Sequence, residues 1–144
     1  MVYESYTRQS LPAKEYRELL GTALCVFNSN NGFIIENIIR TNTSFDWYEL
    51  IDKESGRLRT IISETISKEC DTTEIEELFL KIVSMRNRII HSFRITSNNG
   101  EQVLATKSRK KEGNIQFEIT EEYLMDFIKK NEMLSDLLHQ YRGY

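Results

Sequence analysis

The chain is poor in several residue types, among them histidine and cysteine, which commonly bind metal ions. Its 144 residues include only two histidines, two cysteines, one proline and one tryptophan. It contains neither of the glycine-rich phosphate loops GxxxxGK[ST] and GxGxxG, and it lacks the GxSxG and HExxH motifs of hydrolases. Two histidines and two scattered cysteines are too few for a conventional zinc site. We therefore expect no metal ion and no cofactor.

Long apolar runs are also missing. No segment approaches the roughly 20 apolar residues that a membrane-spanning helix needs, and the opening MVYESYTRQS has no apolar core like that of a signal peptide. Cys25 and Cys70 lie in helical patterns without CxxC spacing. We expect both thiols to be reduced and mostly buried rather than metal-bound or paired in a disulfide. These features predict a soluble, cytoplasmic protein that does not act at a membrane.

The composition is that of a folded chain, with 40% hydrophobic and 28% charged residues. A chain of this length is predicted to form a single domain, 1–144. The net charge of −3 argues against a protein that coats nucleic acid through its overall charge. A local basic patch remains compatible with that charge.

Apolar residues recur at helical spacing over most of the chain, which predicts an antiparallel bundle of about four to five helices. The first helix begins near Pro12. The segment NSNNG (28–32) has the composition of a turn, yet the apolar spacing continues almost in phase across it. One long helix, locally weakened, and two shorter helices are equally consistent with this pattern.

Two further helices are predicted between the first helix and about residue 91. Ser44 is a plausible N-cap for the first of them, and Gly56 within its pattern indicates either a break or close backbone packing. The second starts at Thr73, whose spacing to Glu76 is that of a capping box. It runs to about His91.

From about residue 93 to residue 119 the apolar spacing changes from helical to alternating. The segments FRIT, EQVLATK and IQFEI are strand candidates, and NNG (98–100) offers a tight turn. This pattern predicts a small antiparallel hairpin or meander of two or three strands. Thr120 then caps a last helix. The predicted fold is mainly α, a helical bundle with a small β insertion before its final helix.

Arg86 is out of place in the helix that starts at Thr73, because it falls inside the apolar arc of that helix. One interpretation is a structural arginine paired with a buried carboxylate such as Glu36 or Glu64. Five residues later comes His91, which can simply cap the helix C-terminus, where a protonated imidazole is favoured by the helix dipole. The other interpretation is that Arg86 and His91 act together in a functional site.

Helical geometry constrains that second interpretation. Asn87 and His91 are four residues apart and therefore stack on one face. Arg86 is rotated about 140° from His91, so the two side chains do not converge within one straight helix. If two copies pack about a twofold axis along this helix, each Arg86 approaches the His91 region of the other copy. A functional pair therefore favours a homodimer formed through this helix.

The string RNRIIH (86–91) resembles the signature of the HEPN superfamily (higher eukaryotes and prokaryotes nucleotide-binding domains). That signature is an arginine, usually followed by a polar residue such as asparagine, with a histidine a few residues later near the end of a helix. Arg86, Asn87 and His91 occupy these positions. The predicted hairpin and final helix after the motif are similar to many small bacterial members. The resemblance implies an HEPN-like antiparallel bundle.

Members with an intact motif are commonly metal-independent endoribonucleases, often toxins or effectors of defence systems. The resemblance therefore implies RNA cleavage that leaves a 2′,3′-cyclic phosphate, with a cognate antitoxin as a further partner. Arg86 would stabilise the phosphate charge, His91 would transfer protons and Asn87 would support them. The alternative is a non-catalytic dimeric HEPN module that binds a partner protein or a nucleotide and uses Arg86 structurally.

One position departs from a subset of that family. Members paired with nucleotidyltransferase antitoxins carry, two residues after the histidine, a tyrosine that accepts AMP, and here that position is Phe93. Neutralisation by that modification is therefore not expected.

Basic residues near the motif are candidates for contact with the RNA backbone. A solvated hairpin loop is the competing explanation for the run after the second strand candidate. The candidate substrate-binding residues are Arg88, Arg94, Lys107, Arg109, Lys110 and Lys111.

Overall fold

A computed structural model describes residues 3–143. Within that range the chain forms five helices and one three-stranded antiparallel sheet, which lies before the last helix. This confirms the predicted mainly α fold. The helices are α1 (Lys14–Thr41), α2 (Trp47–Asp52), α3 (58–70), α4 (Glu74–Ile90) and α5 (Glu121–Arg142). The strands are β1 (Phe93–Thr96), β2 (Gln102–Lys107) and β3 (Gln116–Ile119), in the spatial order β1-β2-β3.

The first helix, α1, is continuous through the turn-like segment, so the two-helix alternative is wrong. Asn30, from that segment, is buried and reaches across to the last helix. Its Nδ2 donates to the backbone oxygen of Asn131 at 2.8 Å and to the Oδ1 of Asn131 at 3.0 Å. The Nδ2 of Asn131 donates in turn to the carbonyl of Phe127 at 2.9 Å. Asparagine is tolerated here because its amide is satisfied by α5.

The predicted second helix is divided near Gly56: the helical pattern is broken at Lys53 and Glu54, and Gly56 lies in the turn that follows. Helix α2 ends at Asp52, a short 3₁₀ turn (Ser55–Arg57) follows, and α3 then runs on through one π-helical turn, Ser63–Ser67. The N-cap of α2 is Asp46 rather than Ser44. The Oδ2 of Asp46 accepts the N–H of Glu49 at 3.1 Å.

The predicted capping box at the start of α4 is wrong. Thr73 makes no side-chain capping hydrogen bond. Glu76 instead turns inward, where its Oε1 accepts a hydrogen bond from the hydroxyl of Ser67 at 3.0 Å and its Oε2 lies 3.6 Å from the Nε of Arg59. Glu76 is only 7% exposed. The tertiary contact with α3 therefore replaces the local cap.

The cysteines are both free thiols, as expected, but only one of them is even partly buried. Cys70 is half-buried at the end of α3, whereas Cys25 is exposed. The prediction of burial is wrong for Cys25 because this residue falls on the outer face of α1, away from Ala23 and Phe27.

Three phenylalanines from three helices form the centre of the core. The ring centroid of Phe27 in α1 lies 6.5 Å from that of Phe79 in α4 and 6.1 Å from that of Phe127 in α5. The sheet is fastened to α1 by Tyr16, whose hydroxyl donates to the carbonyl of Ile119 at 2.5 Å. Among the described residues, no helix has the length and apolar character needed to cross a membrane. The bundle packs α4 against α1 and presents the C-terminal end of α4 beside the sheet.

Candidate functional site

The motif residues Arg86, Asn87 and His91 lie at the C-terminal end of α4, where the chain leaves the bundle and enters β1. His91 is the C-cap, and its N–H donates to the carbonyl of Asn87 at 3.0 Å. The hydroxyl of Thr106 in β2 donates to the carbonyl of His91 at 3.2 Å. The backbone of His91 is therefore fixed, while its side chain is exposed and has no hydrogen-bond or ionic partner among residues 3–143.

Arg86 is half-buried and lies against the aromatic core. Its Cζ lies 5.3 Å from the ring centroid of Phe27, and its Nη1 donates to the Oδ1 of Asn87 at 3.4 Å. Glu36, one of the two carboxylates suggested for Arg86, pairs with Arg142 at 3.4 Å. Within the described part of the chain neither Glu36 nor Glu64 pairs with Arg86, so the ion-pair interpretation is wrong. Arg86 contacts an aromatic ring and an amide, and no carboxylate of residues 3–143 pairs with it.

The three motif residues do not meet at a single point within one chain. Arg86 and Asn87 are in contact through their side chains, and Asn87 and His91 are linked through the backbone. Among the described residues, no hydrogen bond joins the side chains of Arg86 and His91. This agrees with their rotation of about 140° around the helix.

The basic loop between β2 and β3 is hydrogen-bonded to α4, the motif helix. The Nη1 of Arg88 donates to the carbonyl of Lys107 at 2.6 Å. The Nζ of Lys107 donates to the Oδ1 of Asn114 at 2.6 Å, and the Nε of Arg109 pairs with Glu112 at 2.8 Å. This arrangement brings part of the predicted basic set, Arg88, Lys107 and Arg109, to one side of α4.

The remaining predicted basic residues are placed differently. Lys110 and Lys111 lie in the exposed 3₁₀ turn at the tip of the same loop. Arg94 lies in β1, and its guanidinium donates to the side-chain oxygen of Gln102 across the sheet. Lys110 and Lys111 thus share a loop with Arg109, whereas Arg94 belongs to the hairpin.

A shallow depression of about 170 Å³ opens on the face of α4 that carries Asn87. Helix α4 supplies five of its lining residues and the β2–β3 loop supplies one. They are Leu80, Val83, Ser84, Asn87, Arg88 and Arg109. Sequence reasoning missed Ser84 and Leu80, although both lie on the Asn87 face at helical spacing.

Tyr123 in α5 contacts the C-terminal half of α4 and was also missed. Its hydroxyl donates to the carbonyl of Met85 at 3.3 Å. Burial raises the pKa of Tyr123 to about 12, with the nearby positive charge of Arg88 acting in the opposite direction. The hydroxyl therefore remains protonated and keeps its donor role at neutral pH.

The comparisons with known proteins assign no relatives. The chain matches no protein-family model, and no curated protein or solved structure matches it. Among residues 3–143, no group of three or more His, Cys, Asp or Glu side chains is arranged to hold a metal ion. A function for the site therefore has to be argued from its own residues.

Proposed function

We propose that this protein is a metal-independent endoribonuclease of the HEPN type, with Arg86, Asn87 and His91 as its catalytic residues. The observation that carries the proposal is the state of the two key side chains. The side chain of His91 is exposed and has no hydrogen-bond or ionic partner among residues 3–143, and Arg86 lies within hydrogen-bond distance of Asn87 with no carboxylate among those residues paired to it. A structural arginine would be expected to pair with an acidic side chain.

The chemistry follows from these three groups. The ribose 2′-oxygen attacks the adjacent phosphorus and loses its proton to His91, and the 5′-oxygen leaves and takes up a proton. The products are a 2′,3′-cyclic phosphate and a 5′-hydroxyl. Arg86 stabilises the charge of the pentacoordinate phosphorus, and Asn87 orients Arg86 through the observed hydrogen bond. DNA is inert in this reaction because it lacks the 2′-hydroxyl.

The proposal includes a homodimer formed through α4. Since the side chains of Arg86 and His91 do not meet within one chain, a complete site requires Arg86 of one copy and His91 of another. Two copies would also provide two imidazoles, one as base and one as acid. In this setting the protein acts in the cytoplasm as a toxin or an anti-phage defence effector, with a cognate antitoxin as its partner.

A non-catalytic dimeric module that binds a protein or a nucleotide is the second candidate. The packing of Arg86 on Phe27 favours it, because this contact gives the arginine a structural role without any chemistry. In that case the substitution of Arg86 would affect folding, and the substitution of His91 would have little effect.

The two candidates are separated by cleavage of a structured RNA in EDTA. The wild type is compared with Arg86→Ala and His91→Ala, each first checked for folding by circular dichroism and for oligomeric state by light scattering. His139→Ala is the matched control, since His139 is the other histidine of the chain and is also exposed. We expect cyclic phosphate ends with the wild type and His139→Ala, and none with the two motif variants. Absence of cleavage by the wild type on several RNAs, or cleavage that survives in both motif variants, would overturn the nuclease.

A further inference from the structure

The depression on α4 lies one helical turn before the histidine of the motif, and it shares Asn87 with the motif. The floor of the depression is apolar: Val83 is 5% exposed and Leu80 is half-buried. Its rim is polar, with the hydroxyl of Ser84, the amide of Asn87 and two guanidinium groups. A cavity with an apolar base and converging donors is suited to a ligand with one flat apolar part and one anionic part.

Several donors on this rim are not used within the protein. The hydroxyl of Ser84 has no hydrogen-bond partner among the described residues, and the Nδ2 of Asn87 donates to none of them. Arg88 uses one nitrogen to hold Lys107. The rim therefore offers hydrogen-bond donors and positive charge, the combination that binds phosphate.

The loop that completes the depression is held in a defined shape. Arg88 fixes its start through the carbonyl of Lys107. At its other side Gly113 and Asn114 have positive φ angles of 102° and 52°, which produce a tight reversal. Between them Glu112 accepts from both the backbone N–H and the Nε of Arg109, at 3.3 Å and 2.8 Å. The guanidinium of Arg109 lines the depression while its Nε is paired with Glu112.

Charge is distributed unevenly along the sheet, although the protein as a whole carries −3. The end of β2 that meets the motif helix carries the basic loop, whose single acidic residue, Glu112, is already paired with Arg109. At the opposite end, beside the β1–β2 turn, a groove is lined by five glutamates, Glu15, Glu101, Glu118, Glu121 and Glu122. A polyanion is therefore attracted to one end of the sheet and repelled from the other.

From this geometry we infer that the depression is a subsite for one nucleotide of single-stranded RNA, next to the site of cleavage. The nucleobase of that nucleotide lies on Leu80 and Val83. The phosphate of the nucleotide is bound by Arg109 with help from Ser84. Arg88 is a positioning residue that holds the loop, and Glu112 competes with the phosphate for Arg109. This inference rests on the proposed function and adds to it the place where substrate is held.

Binding is tested with a short fluorescein-labelled single-stranded RNA that carries 2′-O-methyl groups, so that binding is measured without cleavage. Fluorescence anisotropy gives the Kd of the wild type, Arg109→Gln and Ser84→Glu. Arg40→Gln and Ser29→Glu are matched controls, because both residues are exposed on α1 and lie outside the depression.

We expect the Kd to rise about tenfold in Arg109→Gln and Ser84→Glu and to stay within about twofold in the controls. In Arg109→Gln the slope of log Kd against log salt should also fall by about 0.7, the contribution of one phosphate contact on a single strand. Glu112→Gln should bind the same RNA more tightly, because it removes the competing carboxylate. The control for that change is Glu77→Gln, exposed on α4 outside the lining.

The outcomes separate this subsite from the nuclease itself. If the wild type cleaves RNA but Arg109→Gln and Ser84→Glu bind as tightly as their controls, the subsite is wrong and the proposed function stands. If RNA binding depends on both residues while Arg86→Ala and His91→Ala still cleave, the subsite stands and the catalytic assignment is wrong. If the wild type does not bind this RNA, the subsite is overturned.

Discussion

Arg86 on α4 lies over the ring of Phe27 on α1, with its Cζ 5.3 Å from the ring centroid. The same ring packs against Phe79 and Phe127 in the core. One guanidinium therefore touches both the centre of the bundle and Asn87 of the motif. As a result, the position of a residue proposed to act on phosphate depends on how the aromatic core is packed.

The substitution Phe27→Leu tests that dependence. Its expected loss of stability is roughly 1–2 kcal/mol, because part of a buried ring is removed. Phe79→Leu is the matched control, since Phe79 is also buried and stacks on Phe27, and the Arg86 guanidinium lies over the ring of Phe27. Urea unfolding should give similar losses for both variants, whereas RNA cleavage should fall severalfold more in Phe27→Leu. Equal cleavage by the two folded variants would show that the ring does not position Arg86.

Arg88 is expected to control the order of the β2–β3 loop. In Arg88→Met the hydrogen bond to the carbonyl of Lys107 is lost, and a charged hydrogen bond contributes roughly 1.5 kcal/mol. Amides of residues 108–114 should then exchange with deuterium about tenfold faster, as measured by mass spectrometry. Arg94→Met is the control, because it removes an arginine from the same sheet that contacts Gln102 instead. Unchanged exchange in the loop would contradict this role.

The buried carboxylate of Glu76 is expected to stabilise the contact between α3 and α4. Glu76→Ala leaves the hydroxyl of Ser67 without its acceptor and should lower the free energy of unfolding by about 1–3 kcal/mol. Glu76→Gln, which keeps an acceptor oxygen, should cost less. The exposed neighbour gives the comparison: Glu77→Ala should change stability by less than about 0.5 kcal/mol. Thermal or urea unfolding measures all three, and an equal cost at both positions would refute the inward role of Glu76.

Tyr123 makes stability depend on pH in the alkaline range. Its pKa is about 12 in the folded protein, against an ordinary value of 10.0. Between these values the folded state holds a proton that the unfolded state has lost, so the free energy of unfolding falls as pH rises from about 10 to about 12. This contribution is fully present below pH 10.

Tyr123→Phe should remove that part of the alkaline decline, while Tyr48→Phe, at a residue that is 76% exposed, should leave the curve unchanged. Burial also raises the pKa of Tyr16, so some alkaline dependence remains in both variants. Unfolding curves at several alkaline pH values provide the measurement. A decline as steep in Tyr123→Phe as in the wild type would rule out the assignment.

The elements that depend on local sequence were predictable. The meander before the last helix, the cap at Thr120 and the end of α4 at His91 all follow from patterns within a few residues, and the structure contains each of them. The continuity of α1 was not decidable, because the partner that satisfies Asn30 lies on α5. For the same reason the Arg86–Phe27 contact could not be foreseen.

The candidate site was predictable only in part. The motif residues and the basic run are visible in the sequence, but their relation depends on a long-range hydrogen bond from Arg88 to the backbone of Lys107. Backbone carbonyls carry no sequence signal of their own. Ser84 and Leu80 lie on the same helical face as Asn87, and nothing distinguishes them until the loop places Arg109 opposite.

The buried amide pair of Asn30 and Asn131 has a consequence for synthesis of the protein. Helix α1 is made before the other four helices of the described chain, and the helix that satisfies Asn30 is made last among them. Until α5 emerges, α1 exposes apolar residues such as Phe27 and an unpaired amide. The buried amide of Asn30 can therefore be satisfied only after most of the described chain has been made, so the α1–α5 contact is a long-range one whose closure slows folding.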